Sequence, residues 1–142
     1  MTETHTDDAA ATLRSAEPGL VQYTHVVYAL HTLAVLIGVL GSATIVASFV
    51  FGLPSIIAVI MNYFRRSEAR GTFLESHFSW QIRTFWTAFV IIAVAFMCSV
   101  PLVLLFGLGF LTFYVAAGLT GVWVIYRVAK GWLNLRDGKI VA

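Results

Sequence analysis

The chain has 142 residues, of which 59% are hydrophobic and only 11% are charged, and its mean hydropathy is +0.86. This composition is typical of membrane proteins and excludes an ordinary soluble domain. Nine Lys and Arg residues against seven Asp and Glu residues give a net charge of +2, too small and too scattered for nucleic-acid binding, and the single cysteine excludes a disulfide framework.

The first 20 residues are predicted to form a disordered cytoplasmic tail. They contain four acidic residues and lack the basic start and apolar core of a secretory signal. A polar segment of this kind cannot bury enough apolar surface to fold by itself.

Two long stretches, residues 18–64 and 84–126, contain no Asp, Glu, Lys or Arg. As one continuous helix, either stretch would reach roughly 60–70 Å, about twice the ~30 Å hydrocarbon core of a bilayer. Each stretch is therefore predicted to cross the membrane twice. The predicted fold is all-α, an integral membrane four-helix bundle made of two transmembrane hairpins.

Turn-forming residues indicate where each stretch reverses. Gly52 and Pro54 interrupt the first stretch, and Pro101 and Gly109 interrupt the second. The prediction is a four-helix transmembrane domain over residues 21–132, with helices at 21–43, 54–64, 79–100 and 109–130, followed by a cytoplasmic C-terminal tail at 133–142.

The basic residues predict the orientation. With two crossings in each stretch, the N-terminal tail, the central segment 65–83 and the C-terminal tail share one side of the membrane. All nine Lys and Arg residues lie in or next to these three segments. Because basic residues favour the cytoplasmic side, both termini are predicted to be cytoplasmic.

The central segment carries the signals of a helix start. Thr72 and Glu75 have the spacing of a capping box, and apolar residues then recur every three to four positions. An interfacial helix is therefore predicted to begin near Thr72, before the third crossing.

The candidate functional residues of this segment are Glu75, His77, Gln81 and Arg83. Structural roles are favoured for three of them: Glu75 as a cap, Gln81 in an interhelical hydrogen bond, and Arg83 reaching the head groups beside tryptophans. His77 has no such ready explanation.

His31 is the fifth candidate, because it lies near the middle of the bilayer, where an ionisable residue suggests function. The alternative is a neutral imidazole that bonds a neighbouring helix. His25 lies six positions earlier, about 240° around the helix, so the two histidines are not expected to bind one metal. No metal and no cofactor are predicted.

Two sets of small residues at four-residue spacing predict close helix packing. Whether they pack within one chain or between chains is left open. These residues are Ala34, Gly38 and Ser42 in the first helix, and Ala117 and Gly121 in the fourth.

The sequence shows no catalytic triad, paired carboxylates or phosphate-binding loop, and the two apolar stretches contain no carboxylate. We therefore expect a non-enzymatic subunit, scaffold or assembly factor. Its expected partners are the lipid bilayer and either copies of itself or other membrane proteins. One alternative is a small oligomeric channel or transporter for ions, protons or polypeptides, with His31 in its pathway and His77, Gln81 and Arg83 at its inner mouth. Another is a haem- or quinone-linked redox subunit.

The order of several motifs resembles a known family. These motifs are Tyr23-Thr24-His25, Asn62 with Arg65-Arg66, the block from Glu75 to Trp86, and the block from Tyr126 to Trp132. The chain resembles, over residues 23–140, small four-helix bacterial membrane proteins grouped as a domain of unknown function. It is more distantly similar to the membrane subunit of the chloroplast inner-envelope protein translocon. The resemblance implies a four-helix fold in the bacterial inner membrane, and it implies no reaction.

Overall fold

The structure is a computed structural model that describes residues 15–40, 45–103, 105 and 107–142. These residues form four α-helices and no strand, which confirms the all-α prediction. The helices are α1 (Pro18–Leu40), α2 (Ile45–Phe64), α3 (Leu74–Val103) and α4 (Leu108–Arg136).

Three of these helices are long and apolar enough to cross a membrane. They are the Pro18–Gly38 part of α1, the helix α3 and the helix α4, whose apolar 18-residue windows have mean hydropathies of 1.5, 2.3 and 1.8. Their length and composition indicate a membrane-embedded protein. At 1.5 Å per residue, the 30 residues of α3 extend about 45 Å, so this helix is longer than a ~30 Å hydrocarbon core.

The second helix begins earlier than predicted. It starts at Ile45 instead of residue 54, so Gly52 and Pro54 lie inside α2 and do not mark the reversal of the chain. Proline and glycine are tolerated within apolar membrane helices more often than in soluble ones, which makes them weak turn signals here. The first helix ends at Leu40 and the second begins at Ile45, and Ser42 and the predicted helix end at residue 43 lie outside the described residues.

The predicted interfacial helix is not a separate element. It is the first part of α3, which begins at Leu74 and continues without interruption because no glycine or proline occurs before Pro101. The backbone donors of the two capping bonds are each one residue earlier than in the predicted capping box. The N–H of Gly71 donates to Glu75 Oε2 at 2.9 Å, and the N–H of Leu74 donates to Thr72 Oγ1 at 3.2 Å.

The last helix continues six residues beyond the predicted end at Lys130, and Gly138, at φ 67°, allows the chain to turn back after it. The residues that follow are not a free tail. The N–H of Val141 donates to Ser76 Oγ at 3.0 Å, and Val141 itself is buried. The C-terminal residues therefore pack against the start of α3.

The hydrophobic core lies at one end of the molecule. In α3 the buried residues run from Leu74 to Thr84, and beyond them only Ser99 is buried among those described. The C-terminal part of α4 contributes the buried residues Val128, Gly131 and Leu135 to this end of the molecule. Leu20 and Tyr28 of α1 belong to the same core cluster. The candidate site lies next to this core.

Candidate functional site: a cavity with unpaired polar groups

A cavity of about 280 Å³ lies among the four helices, next to the buried core. Most of its wall is apolar, but six hydrogen-bonding side chains and one tryptophan also face it. The apolar wall consists of Phe85, Ala88, Phe89, Ile92, Val124 and Val128, and the other lining residues are Tyr28, His31, Ser55, Trp80, Gln81, Thr84 and Arg127.

His31 reaches the cavity from α1. Its side chain is only 7% exposed, and its Nδ1 lies 3.3 Å from Ser55 Oγ of α2. The other ring nitrogen, Nε2, is buried and has no hydrogen-bond partner. A buried polar atom without a partner is costly, so it is expected to meet a ligand or water. His31 is thus both an interhelical contact and a group with unused binding capacity.

Gln81 reaches the cavity from α3 and is 3% exposed. Its Oε1 accepts a hydrogen bond of 2.7 Å from Asn62 Nδ2 of α2, which is the interhelical bond that the sequence suggested. The carbonyl oxygen of Asn62, Oδ1, is buried and has no partner. The Nε2 of Gln81 is buried and has no partner.

Arg127 supplies the positive charge of the cavity. Its Nε donates to Thr84 Oγ1 at 2.6 Å, and its guanidinium carbon lies 3.5 Å from the centroid of the Trp80 ring. Trp80 in turn donates from Nε1 to the backbone oxygen of Arg127 at 3.0 Å. The buried Nη2 of Arg127 has no partner. The guanidinium is therefore held in place with one nitrogen unused.

No carboxylate balances this charge. None of the residues that line the cavity is Asp or Glu. Ion pairs in the described part of the chain include Arg65 with Glu68, and Asp137 with Arg136 and Lys139. Two more cations face the Trp80 ring: Arg83 at 5.7 Å and Lys130 at 5.0 Å. The surroundings of Arg127 thus carry excess positive charge.

His77, which the sequence placed with Gln81, does not line the cavity. It is fully buried, with Nε2 2.8 Å from the backbone oxygen of Lys139 and Nδ1 2.9 Å from Tyr28 Oη. A carbonyl oxygen can only accept, so Nε2 carries the proton and Nδ1 accepts from the tyrosine. Both ring nitrogens are used within the protein, and His77 has a structural role here.

The remaining predicted residues are also used locally. Glu75 caps α3, and the exposed Arg83 stacks beside Trp80. His25, on a different side of α1 from His31, accepts a bond of 3.1 Å from Trp132 Nε1. Of the five candidates, the structure thus brings two, His31 and Gln81, to the cavity.

Sequence reasoning missed four hydrogen-bonding residues that line the cavity: Tyr28, Ser55, Thr84 and Arg127. It also missed Asn62 as the partner of Gln81. Arg127 carried the clearest signal, because it is the first charged residue after a stretch of 43 uncharged ones. Asn62 was conspicuous as an amide close to the end of an apolar helix. Neither signal shows which neighbour the side chain will meet.

The small residues divide into two groups. A methyl group added at Gly131 would overlap Tyr28, and one at Gly109 would overlap Ser99 and Val103, so the close approaches within the chain occur there. At Gly38, Gly118 and Gly121 an added methyl group would meet nothing within 4 Å. The predicted packing positions Gly38 and Gly121 are therefore not close contacts within this chain. Ala34 is buried and Ala117 is half-buried.

Within the ranges that the structure describes, no three His, Cys, Asp or Glu side chains are grouped so that they could hold a metal ion. Comparison of the chain with models of protein families, with curated proteins and with solved structures found no match. The functional interpretation therefore depends on the geometry of the site itself. Buried donors in an apolar enclosure are suited to binding a polar group.

Proposed function

We propose that this protein is a non-enzymatic, multi-pass protein of the bacterial inner membrane that acts as a subunit, scaffold or assembly factor of a membrane complex. In this proposal α2, whose 20 residues extend about 30 Å, crosses the bilayer together with the three longer helices. The four helices form two transmembrane hairpins. We also propose, from the resemblance of its motifs, that the chain belongs to the small four-helix bacterial membrane proteins described above.

The positions of the helix ends support a common side for both termini. Tyr23, near the start of α1, donates to the backbone oxygen of Met61, near the end of α2, at 2.9 Å. Ser76, near the start of α3, accepts from Val141, which follows α4. Lys and Arg residues are concentrated near these four ends and in the connection between α2 and α3. The positive-inside rule then favours the cytoplasm for this side.

The observation that carries the assembly role is the unused surface of small residues on α4. Gly118 is exposed, Gly121 is half-buried, and neither approaches another helix of the chain closely. Small residues allow helix backbones to approach in a membrane, where packing and not water exclusion drives association. This surface therefore suits a second transmembrane helix, from another copy or from another membrane protein.

The test is crosslinking of the full chain in its native membrane. Gly121→Leu adds a bulky side chain to the proposed interface and is expected to abolish or strongly reduce the crosslinked species. Leu119→Phe is the matched control, because Leu119 is 69% exposed and lies about 100° around α4 from Gly118 and about 160° from Gly121. Unchanged crosslinking in both Gly121→Leu and Gly38→Leu would reject these surfaces. A strictly monomeric protein that traps no partner would overturn the assembly role.

The second candidate is a small oligomeric channel or transporter. The observation that favours it is the unpaired Nε2 of His31 at a cavity within the apolar part of the molecule. Polar groups at this depth often mark ion or proton pathways. Flux through liposomes that contain the purified protein should then fall in His31→Ala, and unchanged flux would reject this pathway.

A further inference from the structure

We propose that the cavity binds the anionic head of a membrane amphiphile, a carboxylate or a phosphate, together with the first part of its acyl chain. The head-group oxygens would bond to Arg127, His31 and Gln81. The acyl chain would lie against the part of the cavity wall that contains Phe85 and Phe89. This site does not depend on the assembly surface of α4.

The charge of the cavity favours an anion over a neutral ligand. Arg127 lines the cavity without a carboxylate partner, and its Nη2 is buried and unpaired. A buried guanidinium nitrogen without a partner is unfavourable, whereas a guanidinium that bonds a carboxylate or phosphate makes some of the strongest hydrogen bonds in proteins. A negatively charged oxygen gives Nη2 a hydrogen-bond partner and also balances the charge of Arg127. A neutral carbonyl oxygen gives only the hydrogen bond.

The buried, unpaired nitrogen atoms of two other lining residues, Gln81 and His31, are suited to the same oxygens. Because Gln81 Oε1 accepts from Asn62, its free Nε2 is a donor. The Nε2 of His31 is a donor in the tautomer in which Nδ1 accepts from the Ser55 hydroxyl. Three unpaired nitrogen atoms from three helices thus line one cavity that contains no acid, and that of Arg127 is always a donor.

The apolar wall indicates a chain attached to the head. Phe85, Ala88, Phe89 and Ile92 form successive turns of α3 along the cavity, and Phe89 is 56% exposed. The cavity therefore reaches the outer surface of the helices. A volume of about 280 Å³ lies just below the roughly 300–1,000 Å³ of ligand pockets, enough for a head and a short length of chain but not for a whole lipid.

The depth of Arg127 agrees with a head group. The helix α4 has 29 residues and extends about 44 Å, some 14 Å more than a ~30 Å hydrocarbon core. Arg127 lies nine residues, about 14 Å, before the end of α4 at Arg136, and it is the first charged residue of the helix. This is where the hydrocarbon meets the head-group region.

The experiment is a titration of the purified full-length protein in a neutral detergent, with quenching of tryptophan fluorescence by bromine as the readout. The probe is 2-bromoundecanoate, whose bromine lies next to the carboxylate, and its neutral counterpart is 2-bromoundecan-1-ol. Trp80 lines the cavity and reports a bound bromine nearby. We expect saturable quenching by the carboxylate, and an affinity for the alcohol that is lower by roughly tenfold or more, the factor for losing one charge-assisted bond.

Two variants locate the site. Arg127→Gln should weaken the binding of bromoundecanoate by about tenfold to a hundredfold, whereas Arg83→Gln, which removes an equal charge beside Trp80 but outside the cavity, should leave it unchanged. Ala88→Phe fills the cavity without changing charge and should abolish binding. Ala93→Phe is its control, because Ala93 does not line the cavity. If Arg127→Gln does not fold, the proposed site is still tested by Ala88→Phe and by the comparison of the carboxylate with the alcohol.

Further arms distinguish the sources of the anion. Bilayers that contain brominated phosphatidylglycerol, compared with brominated phosphatidylcholine, report a phospholipid head, and bromoundecanoate reports a fatty acid. Displacement of the probe by inorganic phosphate alone at equal concentration would mean a free anion and would overturn the amphiphile. Equal binding of the alcohol, tighter binding of a brominated quinone, or unchanged binding in both Arg127→Gln and Ala88→Phe would also overturn the proposal.

Discussion

The hydroxyl of Tyr28 donates to Nδ1 of His77 at 2.9 Å, and both side chains are fully buried. This bond joins α1 to α3 across 49 residues of sequence, and the other nitrogen of His77 extends it to the backbone of Lys139. Tyr28 also lines the cavity and packs against Gly131 of α4. One side chain thus connects the core, the C-terminal segment and the candidate site.

Tyr28→Phe should destabilise the protein by about 1–3 kcal/mol, because it leaves Nδ1 of His77 buried without a donor. The measurement is thermal unfolding of the purified protein in detergent. Tyr114→Phe is the control, since the Tyr114 side chain is 60% exposed, and it should unfold like the wild type. Equal unfolding temperatures for the two variants would show that the buried bond contributes nothing.

Gly131→Ala should also destabilise, by about 1–3 kcal/mol, because its methyl group would overlap the ring of Tyr28 and force α1 and α4 apart. Gly118→Ala, on the same helix, has open space at the same position and should leave the stability unchanged or raise it by up to about 1 kcal/mol. Both changes are measured by thermal unfolding. Similar effects at the two glycines would contradict the assigned packing of α1 on α4.

The bond between Asn62 and Gln81 should appear as an energetic coupling. In a double-mutant cycle of Asn62→Ala and Gln81→Ala, we expect a coupling energy of about 0.6–1.7 kcal/mol, the range for hydrogen bonds between membrane helices. The four proteins are compared by unfolding in detergent. Strict additivity of the two single changes would mean that this contact does not hold α2 against α3.

Deletion of residues 138–142 should lower the unfolding temperature, because it removes the acceptor of His77 Nε2 and the buried side chain of Val141. Lys139→Ala is the control. The backbone of Lys139 makes the bond to His77, while its side chain is 71% exposed and should contribute little. A deletion that unfolds at the wild-type temperature would support the free tail that the sequence predicted.

Local patterns predicted the helical class, the cap at the start of α3 and an interhelical role for Gln81. These features depend on neighbours within a few residues, or on the average polarity of a segment, so the sequence contains them directly. The reversal of the chain near Pro54 was predicted wrongly because this prediction, too, used only local signals. A proline is a strong local signal, but the surroundings of an apolar helix decide whether it ends the helix.

The sequence by itself determined which segments are apolar, where the charges lie and that the chain is helical. Only the tertiary structure decided that His31 meets Ser55, that Gln81 meets Asn62, and that Arg127 is held beside Trp80 at a cavity without acids. It also decided that Gly131, and not Gly121, allows a close approach. The physical reason is that such contacts depend on the rotation of each helix about its axis and on its distance from partners far away in the sequence.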